Sequence, residues 1–301
     1  MTEVSLAPTP TATPTTTEAP QTDRLSWGVV ELQVTDLKRS VDFWTYALGL
    51  IERDHAGDGV ALGTSAKTLI VLHGGAKKPV AAPYTGMYHV AIGVRTQAEF
   101  SRVLARLIHL NVQVGPTDHL MAKSLYLHDP DGLEIEITYE TPERFGRYGD
   151  MSQTLVLYDV DGNPHSGRGP LDVRAELAAA KGADVMAPLD DDTYLAHLHF
   201  KVADIEPALD WFETLGFARH LTLHNWGFAD MSAGAPNTHR LAMNIWAGPH
   251  RPAMPKDMAG LIRYELFTND TSYVEKSSLS RTQDGWQGRD PAGVAMTVRA
   301  Q

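Results

Sequence analysis

A module of about fifty residues recurs along the chain, and that recurrence limits the fold more than any other feature. Residues 27–34, WGVVELQV, alternate apolar and polar side chains as a half-buried strand does. The following TDLKRSVDFWTYALGL spaces Leu37, Val41, Trp44 and Leu48 three to four residues apart, which predicts an amphipathic helix closed by Gly49. Short strands are predicted around 50–54, 59–63 and 68–73, before Gly74-Gly75. The order βαβββ returns at 195–247, where Asp204, Asp210, Trp211 and Gly216 fall on Asp36, Asp42, Phe43 and Gly49.

A further copy spans 86–139, from GMYHVAIGV through a helix at 97–109 to SLYLHDPDGLEIEITYE. A weaker fourth copy closes the chain, with AGLIRYELF at 259–267 and DPAGVAMTV at 290–298. The two landmarks stand 43 residues apart in the copy from Gly86 to Asp129 and 30 apart from Gly260 to Asp290, so the fourth module is shortened. The expected class is α+β, with four βαβββ modules in two pairs. In chain order the expected divisions are a Thr/Pro-rich disordered tail (1–23), an N-terminal pair holding the candidate metal cup (24–142), a connecting segment (143–192) and a degenerate C-terminal pair (193–301). The connecting segment holds a helix-like PLDVRAELAAAKG at 170–182 and the linker-like APLDDDT.

Composition removes several classes of chemistry. With no cysteine, the chain has no disulfide, thiolate zinc site, iron–sulfur cluster or cysteine nucleophile, which fits a cytoplasmic protein. The net charge of −11 disfavours nucleic acid and anionic membrane as partners. No apolar run reaches the roughly 18 residues of a membrane helix. The early SLAPTPTATPTTTEAPQT has neither the basic start nor the apolar centre of a secretory signal. Gly-rich phosphate loops, HExxH and GxSxG are absent as well.

Four βαβββ modules together with GPTDHLMAKSLYLHDPDGLEIEI at 115–137 resemble the vicinal oxygen chelate superfamily. That superfamily contains glyoxalases, bleomycin-resistance proteins and extradiol dioxygenases, and the segment is similar to the bacterial catechol 2,3-dioxygenase-like branch. The resemblance implies that paired modules close into cup-shaped mixed sheets with a divalent metal inside one cup. It implies a metal-ligating His89 on the first strand of the second module and a ligating Glu136 seven residues after the Asp of the DPxG turn. It further implies His119 as the acid–base histidine and Tyr126 as the substrate-contacting tyrosine.

The remaining first-strand ligand position, seven residues before Asp36, is Val29, which cannot bind a metal. Glu31 shares the face of Val29 and is taken as the displaced third ligand, with His73 as a second substitute. In the C-terminal pair His197 does stand seven residues before Asp204. Its partner positions there are Arg263 and Thr297, with Ser280 and Gln287 at the offsets of His119 and Tyr126. His197, His199 and His239 are therefore expected to form a local cluster, His197 and His199 packed around an ordered water, in a structural partner domain.

The resemblance implies an oxidoreductase in which Fe(II), or next Mn(II), is used to cleave a catecholic or related small aromatic with O2, and it admits a homodimer. A ligand set of one imidazole and two carboxylates would instead suit a non-oxidative Mn- or Mg-dependent isomerase, epimerase or lyase. A metal-free cup would suit a resistance-type protein that sequesters a small molecule.

Overall fold

Each repeat folds as its pattern predicts because its caps and turns are encoded locally. The computed structural model describes residues 22–150, 155–235 and 239–301. The first module comprises β1 (Leu25–Gln33), α1 (Leu37–Tyr46), β2 (Ile51–Ala56), β3 (Gly59–Gly63) and β4 (Thr68–His73). The second comprises β5 (Gly86–Val94), α2 (Gln97–His109), β6 (Gly115–Asp118), β7 (Ala122–His128) and β8 (Glu134–Glu140). Asp36 caps α1 by accepting from the Arg39 amide, and Thr96 caps α2 by accepting from Glu99. Gly49 ends the first helix region at φ +86°, where a Cβ would fall on the Arg106 guanidinium; Gly216 repeats the conformation at φ +103°.

The connecting segment is more than a linker. It carries β9 (Phe145–Tyr148), β10 (Leu157–Asp159), β11 (Pro164–His165), β12 (Gly169–Pro170) and α3 (Val173–Ala179). The third module follows as β13 (Tyr194–Lys201), α4 (Ile205–Glu213), β14 (Ala218–Leu223), β15 (Phe228–Ser232) and β16 (Leu241–Asn244). The fourth is β17 (Gly260–Thr268), α5 (Thr271–Val274), β18 (Ser280–Thr282), β19 (Gly285–Arg289) and β20 (Ala295–Ala300). Its helix is a single turn, which accounts for most of the shortening seen in the sequence, and its next two strands are shorter as well. Of the 1–23 tail, residues 1–21 lie outside the described residues, whereas Asp23 is tied to Arg240 at 2.8 Å.

The modules do not pair in chain order. One sheet runs β18-β19-β20-β17-β1-β4-β3-β2 and joins the first module to the fourth. The other runs β12-β6-β7-β8-β5-β13-β16-β15-β14 and joins the second to the third. This corrects the division into an N-terminal and a C-terminal pair: 24–142 and 193–301 each contribute one module to each sheet. The physical reason is the choice of neighbour for each module's first strand, β1 lying antiparallel to β17 and β5 antiparallel to β13. Local periodicity marks such strands without naming their partners. The two sheets share one apolar core, in which Phe200 of β13 lies 5.7 Å from Tyr264 of β17 and 5.9 Å from Phe212 of α4. Among the described residues no helix is long and apolar enough to cross a membrane.

The DPxG turns are Asx turns. Asp129 Oδ1 accepts from the amides of Asp131 and Leu133, and Asp290 Oδ1 accepts from Ala292 and Val294. Asp290 is buried and its Oδ2 has no hydrogen-bond partner, so burial pushes its pKa up to about 7. A carboxyl with a raised folded-state pKa favours the protein while protonated, so this contribution is lost as pH rises from the unfolded value towards 7. Asp290→Asn keeps an acceptor at Oδ1 and abolishes the charge. Thermal melts should therefore show the variant gaining stability over wild type at pH 8 relative to pH 5; a difference independent of pH would contradict the assignment.

Candidate metal centre

Strand register assembles the site in two rows on the concave face of the nine-stranded sheet. His197 of β13 lies opposite Ala91 of β5, Ala91 pairs with Glu136 of β8, and Glu136 pairs with Tyr126 of β7. One pleat along, His199, His89, Glu134 and His128 form the second row. Side chains two residues apart share a face, so both rows look into the cup. Ala91 is the smallest side chain of the first row, and its size lets His197 and Glu136 meet above it.

His89 Nε2 stands 3.0 Å from His197 Nε2 and 3.0 Å from Glu136 Oε2, and His197 Nε2 is 3.2 Å from the same oxygen. All three residues are buried, at 4%, 5% and 3% exposure for His89, His197 and Glu136. Among the described residues this is the group of His, Asp and Glu side chains close enough together to share one metal ion. Donor atoms about 2.1 Å from a common ion stand about 3.0 Å apart at right angles and about 3.4 Å apart at the tetrahedral angle. The observed edges match three adjacent corners of an octahedron, which leave the opposite corners open.

The surroundings of the three donors fit an ion. Ser124 Oγ donates to Glu136 Oε1 at 2.6 Å and leaves Oε2 for the centre. His89 Nδ1 is buried with no hydrogen-bond partner and faces Glu134 Oε1 at 3.8 Å. An imidazole ligating through Nε2 carries its proton on Nδ1, and a carboxylate on that side is the usual outer support. Burial would push Glu136 up, but the charges and hydrogen bonds of His197 and His89 outweigh it and hold the carboxyl well below the usual range. Burial, reinforced by the neighbouring His239, pushes His197 down to about 3, so it presents a neutral imidazole. For His89 the burial effect is overcome by Glu134 and Glu136, and its pKa is raised.

His119 and Tyr126 form one wall. His119 Nδ1–H donates to the carbonyl of Gly167 at 2.6 Å, which leaves Nε2 to accept from the Tyr126 hydroxyl at 3.0 Å. Burial lowers the pKa of His119, and burial with Glu136 raises Tyr126 well above its ordinary value. The Tyr126 ring lies 5.7 Å from that of His89. The opposite wall holds His239, whose ring is 4.4 Å from His197. Its Nδ1 contacts Asp230 Oδ2 at 2.7 Å, and Asp230 Oδ1 contacts His220 Nδ1 at 3.1 Å. Tyr148 of the connecting segment donates to His220 Nε2 at 2.9 Å. Phe228, Trp246 and Tyr88 continue this wall as aromatic surface.

Glu31 is not brought to the centre. It lies in the other sheet, with His73 Nε2 at 3.0 Å and Arg263 at 3.9 Å, and His73 is also 3.3 Å from Asp58. The same sheet also carries the ion pair of Glu265 with Arg299. Because β1 borders β17 and not β5, Val29 does not face the cup that holds His89, Glu136 and His197, and its lack of a ligand atom has no bearing there. The third candidate donor beside His89 and Glu136 is His197, supplied by the module expected to be purely structural. Its place seven residues before Asp204 was the available signal. His199 is held by Asn244, whose Nδ2 is 2.8 Å from Nε2, in place of the packed histidine pair. Asp230 and Tyr148 had no sequence signal, being placed by sheet pairing and by the connecting segment.

Residues 26–137 match the model of the Glyoxalase/Bleomycin resistance protein/Dioxygenase superfamily. A protein of Bacillus subtilis (strain 168) named catechol-2,3-dioxygenase is 27% identical over 285 residues, covering 89% of this chain and 94% of that relative. Among solved structures, glyoxalase I from Zea mays superposes with a TM-score of 0.52 at 13% identity, covering 92% of each chain. The cppA protein of Streptococcus pneumoniae TIGR4 superposes with a TM-score of 0.50 at 11% identity, over 93% of this chain and 99% of that one. These likenesses extend the fold over nearly the whole chain. The match at 26–137 thus shows a domain similar to the glyoxalase/bleomycin resistance protein/dioxygenase superfamily in the first two modules, and the structural likenesses show the same fold across the rest.

Proposed function

We propose that the protein is an Fe(II)-dependent, extradiol-type ring-cleaving dioxygenase acting on a small catecholic substrate. The observation that carries this reading is the triangle of His89, His197 and Glu136. Two imidazoles and one carboxylate on adjacent corners are the donor set of non-haem Fe(II) oxygenases, and they favour Fe(II) over Mn(II). When bound, Fe(II) would supply neighbouring open positions at which the vicinal oxygens of a catechol and O2 meet.

The chain's own residues account for the rest of the chemistry. His119 Nε2, neutral because the ring is buried, accepts a proton from a hydroxyl at the centre and returns it later. The carbonyl of Gly167 fixes the tautomer that makes this nitrogen basic. Tyr126 keeps its proton, and on substrate binding its hydroxyl turns from His119 Nε2 to donate to a substrate oxygen, which frees Nε2 to act as the base. His239 gives the opposite wall a second imidazole, which buried Asp230 holds in one orientation. Tyr88, Phe228 and Trp246 offer an aromatic surface on which a substrate ring can pack. The named relative and the cysteine-free chain support an oxidoreductase of the cytoplasm.

The test is oxygen uptake by protein purified without air and reconstituted with Fe(II). Uptake with a catechol, accompanied by the yellow absorbance of a ring-opened product, is expected. Turnover of a non-aromatic vicinal-oxygen substrate with Mn(II) and no oxygen uptake would favour the isomerase or lyase reading. Catechol binding that is indifferent to EDTA, without turnover, would favour a sequestering protein.

A further inference from the structure

The cup has a fixed cation on its His119–Tyr126 wall that the chemistry above does not use. Arg168 is exposed, and its guanidinium carbon lies 5.4 Å from the centroid of the Tyr126 ring, itself 5.7 Å from the His89 ring. It sits on the connecting segment, which structure holds firmly at this point. Gly167 gives its carbonyl to His119, Gly169 and Pro170 pair with β6, and Ser166 Oγ donates to the Arg168 carbonyl at 2.9 Å. Gly167 has φ +74°, and a Cβ there would stand 2.6 Å from Leu155 Cδ2, so the turn presenting Arg168 requires glycine.

Among the described residues no carboxylate pairs with Arg168, although the chain carries a net charge of −11. Three other arginines near this sheet are paired: Arg144 with Asp118, Arg240 with Asp23 and Glu140, Arg219 with Glu206, Asp210 and Glu213. The positive charge reaches into the cup, where it opposes the rise in pKa of Tyr88 and Tyr126. A planar guanidinium presented by a rigid turn matches a carboxylate in a two-pronged, charge-assisted contact.

We propose that Arg168 receives an anionic substituent of the substrate, so that the site takes an aromatic vicinal diol bearing a carboxylate in preference to a neutral one. The proposal rests on the catechol-binding reading of the same cup. A guanidinium that only tuned Tyr126 would act on every diol alike, whereas a carboxylate reader separates charged from neutral.

Anaerobic titration calorimetry tests it on Fe(II)-loaded protein with 3,4-dihydroxyphenylacetate and the neutral, similarly shaped 4-ethylcatechol. Wild type is expected to bind the carboxylate about tenfold more tightly at low salt, a preference that shrinks as salt is added. Arg168→Gln should remove the preference while leaving 4-ethylcatechol affinity within about twofold, and Arg168→Lys should restore part of it. Equal affinities in wild type, or a preference that survives Arg168→Gln, would overturn the assignment and leave the catechol reading standing. Failure of both diols to bind would overturn both together.

Discussion

His197→Ala is expected to strip the protein of metal as completely as His89→Ala, while Glu31→Ala leaves loading unchanged. The three donor atoms of His89, His197 and Glu136 lie 3.0–3.2 Å apart, so none can be replaced by a neighbour without losing the arrangement. Removal of an outer support of a metal ligand costs about 10- to 100-fold in affinity, and removal of a ligand itself more, on the order of a thousandfold here. Glu31 lies in the other sheet, where its partners are His73 and Arg263. Metal content after anaerobic Fe(II) reconstitution and desalting decides the matter. Loss in Glu31→Ala with retention in His197→Ala would place the ion in the cup of the first and fourth modules.

His119→Ala is expected to lower kcat by about 10²–10³ while leaving bound metal and substrate affinity nearly unchanged. His119 touches none of the three donors; its partners are the Gly167 carbonyl and the Tyr126 hydroxyl. Its loss therefore removes proton transfer without disturbing the centre. Because burial lowers the pKa of His119, the ring is neutral over most of the working range. Base function is present above that depressed pKa and lost below it, so the acid limb of kcat should lie below the ordinary histidine value of 6.5. Single-turnover measurements on metal-loaded enzyme would show the effect directly. A metal-free His119→Ala protein would mean that the residue holds the ion and does not move protons.

What could be read from the sequence was local. The helix predicted at 97–109 forms as α2, and the strands predicted at 59–63 and 68–73 form as β3 and β4. Those signals depend on periodicity and caps within a dozen residues. His89, Glu136, His119 and Tyr126 were visible for the same reason, since one module carries them at fixed offsets. Their companion was not visible as such. His197 occupied a ligand position, but whether it met His89 depended on β5 pairing with β13, two strands more than a hundred residues apart in sequence. Glu31 stands at a third-donor position only if modules adjacent along the chain are also adjacent in the sheet, and β1 pairs with β17 instead. Arg168 and Tyr148 carry no sequence signal because the connecting segment has no repeat to align. Its contact with the cup is made by one carbonyl, one guanidinium and one hydroxyl.

The most direct test of the account is anomalous diffraction at the iron edge from crystals grown anaerobically with Fe(II). The account predicts one strong peak about 2.0–2.2 Å from His89 Nε2, His197 Nε2 and Glu136 Oε2, in the cup built by the second and third modules. A peak beside Glu31 and His73, or none in a fully loaded crystal, would contradict it.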